Sequence, residues 1–257
     1  MKKEVFVFDV DGTLTEPRQS IDSEFSEWLL DFCKSNDVYL VTGSDRQKTF
    51  EQIGPNLYEA VKGVWHCNGN EYWENNRRVS KNDYTPDYEF KHYLTQLVHK
   101  SKYPVKVGDH IEIRTGMINF SVVGRKANEH QREQYYQWDL KNKERHLICE
   151  DINRLYPKVH ASVGGRISID IAPRGNNKSQ VAKILNKQYE TIYFFGDKME
   201  YGGNDWPLAL TIDLGKMGEN HPVKSWVDTK ALLRTIVRLK ELGYENSNSF
   251  DIKGTDI

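Results

Sequence analysis

Short apolar segments that alternate with amphipathic ones constrain the fold of this chain more than any other feature of its sequence. Residues 5–8, 38–41 and 192–195 are each four consecutive strand-forming residues. Runs of this kind, without polar alternation, predict strands that are buried on both faces of a parallel sheet. Amphipathic segments separate these runs, and strands that alternate with helices predict a doubly wound, Rossmann-like α/β core.

Further elements of this core are predicted from local patterns. They are, in chain order, a helix capped by Ser23, a short helix closing at Gly54-Pro55, a strand over 61–66, a polar hairpin over 71–79, a helix that follows Asn176-Asn177, and a long helix from Trp226 to Leu239. Residues from about Asn246 onward are polar, and we expect them to fray. The core is expected to comprise residues 1–81 and 174–257.

The middle of the chain, residues 82–173, follows a different pattern. Its predicted elements are a helix around Phe90 to Leu97, strands over 111–114 and 117–123, a very polar helix over 128–145, a shorter helix from Leu147, and strands over 159–163 and 167–171. Consecutive strands beside helices are typical of an α+β unit. We therefore expect residues 82–173 to form an α+β domain inserted into the α/β core.

Composition and charge exclude several classes of function. The formal net charge of −1 gives no overall attraction to nucleic acid or to acidic membrane surfaces. No apolar run reaches the roughly 18–20 residues that a membrane-spanning helix needs. The first residues run straight into a strand, so we expect no signal peptide. Cys33, Cys67 and Cys149 lack a metal-ligand spacing, and they favour a reducing, cytoplasmic location.

The most informative polar motif directly follows the first predicted strand. Asp9 and Asp11 are one residue apart, and Gly12 after them permits a tight turn. Ligand chemistry in open α/β sheets gathers at the carboxyl ends of strands. Two carboxylates there can share a divalent cation, with one attacking phosphorus and the other acting as acid and base. Taken alone, however, the pattern more often marks a surface turn or a calcium-type loop.

Three more pieces follow along the chain. Thr42-Gly43-Ser44 ends the second strand, where a hydroxyl and backbone N–H groups could hold a phosphate. Lys178 stands at a helix start, and its ammonium could neutralise a transferring phosphoryl group. Gly196-Asp197 ends the last apolar strand, and Asp205 follows shortly in a second acidic cluster that would supply further metal ligands.

These four pieces, in this order on alternating strands, resemble the four motifs of the haloacid dehalogenase (HAD) superfamily. The position of the insert is similar to that of the subgroup whose large α/β cap lies over the active site. Longer segments of this chain resemble one family of this subgroup, the eukaryotic-type phosphomannomutases. They are residues 9–19, 43–45, 114–125 with Arg132 after them, 164–170, 193–198 and 202–205. The resemblance runs through most of residues 3–210 and covers the cap as well as the core.

The resemblance implies an activity and a set of site residues. The activity is interconversion of mannose 6-phosphate and mannose 1-phosphate, with a hexose 1,6-bisphosphate priming the enzyme. The implied nucleophile is Asp9, and Asp11 is its acid/base partner, with Ser44 and Lys178 beside them. The sugar phosphate would be held by Arg18, Arg114, Arg125, Arg132, Ser168 and Asp170. Mg²⁺ would be bound by Asp9, the backbone carbonyl of Asp11, Asp197 and the acidic cluster with Asp205. The family also implies a homodimer joined through the caps.

The cap arginines fit this interpretation physically. A mutase must bind a hexose bisphosphate in two orientations, so it needs a second phosphate site that does not react. Guanidinium groups grip phosphate bidentately, and three arginines in one cap segment could build such a site.

Three positions depart from the family pattern. Thr42 stands where a glycine is expected and is more typical of sugar phosphatases, Cys67 replaces an acidic residue, and Thr211 replaces an aspartate of a second cation site. The alternative function is therefore a Mg²⁺-dependent sugar-phosphate phosphatase, in which water discharges the phosphoaspartate. A binding module that kept the fold is a third interpretation, which the complete set of Asp9, Asp11, Lys178 and Asp197 disfavours.

Overall fold

The computed structural model describes residues 3–243, which form two β-sheets flanked by helices. The strands are β1 (Glu4–Phe8), β2 (Val38–Val41), β3 (Gly63–His66), β4 (Glu71–Glu74), β5 (Arg77–Lys81), β6 (Ile111–Arg114), β7 (Met117–Phe120), β8 (Val159–Val163), β9 (Ile169–Pro173), β10 (Thr191–Gly196) and β11 (Gly218–Pro222). The helices are α1 (Ser23–Cys33), α2 (Arg46–Ala60), α3 (Tyr88–Lys100), α4 (Glu129–Asn142), α5 (Glu144–Leu155), α6 (Ser179–Leu185), α7 (Trp206–Gly215) and α8 (Trp226–Glu241). The predicted fraying from about Asn246 lies outside the described residues.

The larger sheet has seven strands in the order β11-β10-β1-β2-β3-β4-β5. Neighbours from β11 to β3 are parallel, and β4 and β5 add antiparallel pairs at one edge. The strand order reverses between β1 and β10, and in open α/β sheets ligands bind in the crevice at such a reversal. Asp9 directly follows β1 and Asp197 directly follows β10, so the sheet brings both to this crevice.

Alternate side chains of the central strands serve two separate layers of the core. In β1, Phe6 and Phe8 pack into the cluster that contains residues of α1, α2 and α8. Val5 and Val7, which alternate with them, belong to the cluster formed with α6 and α7. This alternation follows from the two-residue period of a strand, and it confirms the predicted doubly wound core.

Two predicted helix limits were wrong. Asp22, and not Ser23, caps α1, because the Asp22 side chain accepts a hydrogen bond from the backbone N–H of Phe25. The helix predicted to close at Gly54 continues to the end of α2 at Ala60. Gly54 adopts a φ of 76°, which glycine tolerates without a side-chain clash, so the chain kinks there instead of stopping.

The polar helix predicted over 128–145 ends earlier, at Asn142, and the shorter helix predicted from Leu147 begins earlier, at Glu144. Asn128 caps α4, and Lys143 in the left-handed conformation (φ 55°) separates α4 from α5. Arg145 therefore lies in α5, where its Nε is 2.8 Å from Oδ2 of Asp139 at the end of α4. This ion pair is buried and closes the break. The predicted break between the two helices was therefore placed too late in the chain, because polar residues dominate this segment and its apolar periodicity is weak.

The smaller sheet is antiparallel, with the strand order β6-β7-β9-β8. Ile118, Phe120, Ile169 and Ile171 line its apolar face, which packs against α3, α4 and α5. The residues between them point to the opposite face, where one residue from each strand forms a polar row. This polar row consists of the register partners Glu112, Asn119, Asp170 and Ser162.

The polar row lies toward the larger sheet. Within it, Asp170 Oδ2 accepts a hydrogen bond of 3.2 Å from Asn68 Nδ2, in the turn that follows β3. The mixed α/β arrangement with a separate antiparallel sheet agrees with the expected core and inserted α+β cap. The domain limits placed after residue 81 and after residue 173 stay a prediction.

Two elements were not predicted at all. Leu208, Ala209 and Ile212 anchor α7 in the core, and α7 was missed because its apolar residues do not follow a single stripe. The strand β11 reads Gly-Glu-Asn-His-Pro and holds few strand-forming residues, yet it pairs in parallel with β10. Within residues 3–243, none of the helices combines the length and the apolar character needed to span a bilayer.

Candidate active site at the carboxyl ends of the core strands

One lysine joins the predicted nucleophile to a predicted metal ligand. Lys178 Nζ donates to Asp9 Oδ1 over 2.5 Å and to Asp205 Oδ1 over 2.7 Å. Lys178 and Asp205 are fully buried and Asp9 is 3% exposed. Asp205 Oδ2 also accepts a hydrogen bond of 3.0 Å from the backbone N–H of Lys198. These contacts hold the predicted nucleophile, Asp9, in one orientation at the crevice.

Three carboxylates of this crevice form a candidate metal centre. Asp9, Asp197 and Asp205 each offer an oxygen within 4.8 Å of the other two. Asp197 Oδ1 is buried and accepts no hydrogen bond from the described residues, an arrangement that is costly unless a cation satisfies the oxygen. Hard divalent cations such as Mg²⁺ prefer oxygen ligands of this kind. The donor set therefore fits a divalent cation.

Gly12 lies against one of the three carboxylates of the candidate metal centre, whereas Thr211 concerns a second cation site. Gly12 has a φ of 91°, and a Cβ atom there would lie 2.5 Å from Asp197 Oδ2, so the position requires glycine. Thr211 stands where we expected an aspartate of a second cation site. Its hydroxyl donates to the Pro207 carbonyl over 2.7 Å and is thus used within α7.

Charges of both signs shift the pKa values in this group. Burial raises the pKa of the Asp9 carboxyl; the Lys178 ammonium acts against this rise, and the carboxylates of Asp205 and Asp197 add to it. Burial alone lowers the pKa of Lys178, but the attraction of Asp205 and Asp9 outweighs that loss, and the pKa is raised. Lys178 is therefore a permanent cation, and a divalent cation among the carboxylates would help to keep Asp9 ionised.

The carboxylate of Asp11 is held by four donors and is not part of the group of three carboxylates above. Its Oδ1 accepts from the backbone N–H of Arg18 (2.8 Å) and from Gln52 Nε2 (2.9 Å). Its Oδ2 accepts from Ser44 Oγ (3.0 Å) and from Lys48 Nζ (2.8 Å). The Ser44 hydroxyl, which we predicted to hold a phosphate, is thus bonded to Asp11. The implied metal ligand at Asp11 is its backbone carbonyl, and that role stays a prediction.

These donors make the stability of the protein depend on pH. Burial alone would raise the pKa of Asp11, but the Lys48 ammonium and the hydrogen bonds lower it to about 2. The pKa of Asp11 in the folded protein thus lies below its unfolded value of about 3.9. The ionised carboxylate therefore stabilises the folded protein at pH values above about 3.9, and this stabilisation is lost as the pH falls toward the folded pKa. From about pH 6 to about pH 3, we expect the wild type to lose about 1 kcal/mol of stability relative to Asp11→Asn. Urea unfolding at both pH values measures this difference; parallel pH curves would contradict it.

The predicted cap arginines gather beside the crevice. Arg125 Nη1 donates to Ser168 Oγ over 3.2 Å, and Arg132 Nη2 donates to the Arg125 carbonyl over 2.8 Å. Burial lowers the pKa of the Arg132 guanidinium, and the nearby charges of Arg18 and Arg125 lower it further. Like charges brought this close repel one another, so the arrangement suits a multiply charged anion between them.

Two contacts connect the cap residues to the core loops. Arg114 Nη1 donates to the Gly43 carbonyl over 3.4 Å. Asp170, which accepts from Asn68 in the core, also accepts a hydrogen bond of 2.6 Å from Asn119 in the cap. Arg114 and Asp170 thus contact the core loops, Ser168 contacts Arg125, and the charge of Arg18 lies near Arg125 and Arg132.

Sequence reasoning missed several residues of this cleft. Lys48 and Gln52 hold Asp11; they are four residues apart, which places both on one face of α2, and Ser44 lies just before that helix. That spacing was a usable signal. Asn68 and Glu112 carried no comparable signal, because their roles depend on partners that are distant in the chain or on side-chain direction.

Structural neighbours share this architecture. An N-terminally truncated IMP-nucleotidase from Plasmodium falciparum is similar with a TM-score of 0.62 at 17% identity, covering 93% of this chain and 71% of that one. A haloacid dehalogenase-like hydrolase from Bacteroides thetaiotaomicron is similar with a TM-score of 0.57 at 13% identity, covering 91% of this chain and all of that one (100%). At these identities the likeness concerns the fold alone, and that fold is the HAD-like core with a cap.

Sequence comparison identifies the family within this class. The model of the family described as eukaryotic phosphomannomutase matches residues 25–239. Phosphomannomutase 1 of Dictyostelium discoideum is 32% identical over 238 residues, covering 89% of this chain and 94% of that relative. The phosphomannomutase of Schizosaccharomyces pombe is 32% identical over 253 residues, covering 92% and 95%. The chain belongs to the eukaryotic phosphomannomutase family.

Proposed function

We propose that the protein interconverts mannose 6-phosphate and mannose 1-phosphate through a phosphoaspartate on Asp9 and a hexose 1,6-bisphosphate. The observation that carries this proposal is the pairing of two sites in one cleft. Asp9, held by the buried Lys178, provides the reactive site. The arginines of the cap provide a cationic site for a phosphate that does not react.

In the first step, an Asp9 carboxylate oxygen forms a bond to phosphorus of the bisphosphate, and the bond from phosphorus to the sugar oxygen breaks. Asp11 gives its proton to that leaving oxygen. In the second step, the free hydroxyl of a hexose monophosphate attacks the phosphoaspartate, Asp11 takes up the hydroxyl proton, and the Asp9–phosphorus bond breaks. After the bisphosphate turns around, its other phosphate goes to Asp9, and the isomeric monophosphate is released.

Lys178 supports the reacting group electrostatically in this scheme. Its ammonium is buried against Asp9, where a positive charge can neutralise part of the negative charge of the transferring phosphoryl group. We propose that Asp9, the Asp11 backbone carbonyl, Asp197 and Asp205 hold Mg²⁺. The ion would supply further neutralisation of phosphoryl charge.

The structure holds Asp11 away from the reacting carboxylates, in contact with Lys48 and Ser44. For the proposed chemistry Asp11 must leave these donors, because a carboxyl whose pKa is lowered to about 2 cannot carry a proton at neutral pH. Binding of the sugar phosphate between cap and core is the event that we propose releases it.

A phosphatase is the alternative, because both activities use the same core residues. They are separated by incubating the protein with Mg²⁺, mannose 1-phosphate and a catalytic amount of glucose 1,6-bisphosphate, and following phosphorus by NMR. Formation of mannose 6-phosphate without free phosphate supports the mutase. Stoichiometric release of orthophosphate would overturn it in favour of the phosphatase.

Arg132→Ala is expected to lower kcat/KM for mannose 1-phosphate by about 100-fold, because charge-assisted hydrogen bonds to a phosphate contribute about 2–3 kcal/mol. Hydrolysis of p-nitrophenyl phosphate, which has no second phosphate, should change far less. Arg154→Ala is the matched control, since Arg154 lies on the cap surface and pairs with the exposed Asp151. An equal loss of kcat/KM with both substrates would contradict the assignment of Arg132 to the second phosphate site.

A homodimer joined through the cap and a cytoplasmic location also belong to the proposal. The edge position of β6 and the 52% exposure of Ile113 on it support pairing between caps. Sedimentation at micromolar concentration tests this directly, and a monomer there would contradict it. Cys67 and Cys149 are buried free thiols, which fits a reducing compartment.

A further inference from the structure

We propose that Glu112 is a positioning residue, which holds the guanidinium groups of Arg114 and Arg125 side by side so that both reach the phosphate that does not react. This inference rests on the proposed function, because it assigns Glu112 to the second phosphate site of the mutase. It starts from a carboxylate that stands among the cationic side chains of an anion site, where a negative charge is unexpected.

Both carboxylate oxygens of Glu112 contact arginines. Arg114 Nε donates to Glu112 Oε1 over 3.1 Å, and Arg114 Nη2 donates to Oε2 over 3.0 Å. Arg125 Nε lies 2.6 Å from the same Oε2. One carboxylate therefore bridges two guanidinium groups, through a bidentate contact on one side and a close ion pair on the other.

The bridge continues in both directions. On one side, the backbone carbonyl of Arg125 accepts a hydrogen bond from Arg132. The Nε of Arg132 also donates a hydrogen bond of 2.7 Å to the Ala127 carbonyl. Beyond Arg114, its Nη1 reaches the Gly43 carbonyl in the core loop. Glu112 thus links the arginines that are anchored in the cap to the one that touches the core.

Electrostatics explains why such a link is needed. Burial lowers the pKa of Arg125 and the positive charge of Arg114 adds to this, whereas the Glu112 carboxylate acts to raise it. Two guanidinium groups at this separation repel each other before a phosphate arrives. A carboxylate between them offsets the repulsion and leaves a net positive charge.

The contacts also leave donors for a ligand. A guanidinium has five N–H groups in a fixed fork, and Arg114 uses its Nε–Nη2 edge for Glu112. With Nη1 donating to the Gly43 carbonyl, three of the five N–H groups are used, and the one remaining N–H on each of Nη1 and Nη2 can donate to a phosphate oxygen. A carboxylate that fixes one edge of the fork pre-orders the other, which reduces the entropy lost on binding.

The position of Glu112 in β6 directs its side chain toward the arginines. It is the β6 member of the polar row, opposite Asn119 and on the same face as Arg114, two residues further on. Its neighbours in the strand, Ile111 and Ile113, point to the opposite face. A substitution at Glu112 therefore changes the cleft without touching the apolar face of the cap.

The test compares Glu112→Gln and Glu112→Ala with the wild type. We expect KM for mannose 1-phosphate to rise about fivefold in the glutamine variant and about tenfold in the alanine variant, as for loss of a partly exposed ion pair that orders a ligand site. The value of kcat should change less than about twofold, because Asp9 and Lys178 are untouched. A second readout is the mannose 1-phosphate concentration that gives half of the maximal thermal stabilisation, which should rise by the same factors.

Asp151→Ala is the matched control, since it removes a cap carboxylate that pairs with the exposed Arg154; both readouts should equal those of the wild type. An unchanged KM would overturn the proposal. A lowered KM would overturn it too, because Glu112 would then compete with the phosphate. A wild type that binds mannose 1-phosphate but does not interconvert it would overturn the proposed function, while the binding readout still tests Glu112.

Discussion

Asp9→Asn is expected to lower kcat for the mutase reaction by at least about 10⁴-fold, since removal of a covalent nucleophile leaves only binding and electrostatic assistance. Asparagine has the same shape, and its amide can still contact Lys178. Loss of activity would therefore report on the missing nucleophile and not on a collapsed site. The coupled assay for mannose 6-phosphate measures this loss.

A trapping experiment makes the same prediction specific to phosphoaspartate. Acid quenching of the wild type after incubation with labelled glucose 1,6-bisphosphate should give labelled protein, and Asp9→Asn should give none. Asp31→Asn is the control, because Asp31 is an exposed aspartate that pairs with Lys34 on the surface. Retained turnover or retained label in Asp9→Asn would end the whole scheme.

Lys178→Met is expected to produce the largest loss of stability. Methionine leaves Asp9 and Asp205 buried without their cation, and breaking a buried ion pair by removing one partner costs about 3–5 kcal/mol. Urea unfolding of the metal-free protein measures this cost. Burial already raises the pKa of Asp9, and loss of the Lys178 ammonium raises it further, so the stability of the variant should fall as the pH increases.

The control for this variant is Lys34→Met. Lys34 also pairs with an aspartate, but both side chains are more than three-quarters exposed (77% and 79%), so the change should cost less than about 1 kcal/mol. Equal losses in the two variants would show that burial does not amplify the Lys178 contacts. A Lys178→Met protein that is as stable as the wild type but inactive would contradict the predicted loss of stability and would show that Lys178 acts only in catalysis.

Local patterns predicted most of the core elements because each has its own signal. Four apolar residues in a row marked β1, β2 and β10, and helical spacing marked α1, α3 and α8. The limits were less predictable: Gly54 kinks α2 without ending it, and the break between α4 and α5 lies at Lys143, earlier than predicted. Edge pairing with β10 creates β11, whose own residues have no preference for a strand.

The pair Asp9 and Asp11 shows how far sequence alone reaches. The spacing and the preceding strand located both residues at a ligand crevice, and the order of the later motifs, with Lys178 and Asp197, indicated a phosphoaspartate site. Covalent chemistry of this kind depends on residue type and on order along strands, which the sequence contains. The resemblance in the cap added the arginines to that list.

Only the tertiary structure decided how these groups are paired. It joined Asp9 to Lys178, which is 169 positions away in the chain, and turned Asp11 toward Lys48 and Ser44. It also placed Glu112 between two arginines. Side-chain partners depend on rotamers and on packing between distant segments, and these are properties of the folded chain, because local sequence sets which groups are present but not which of them meet.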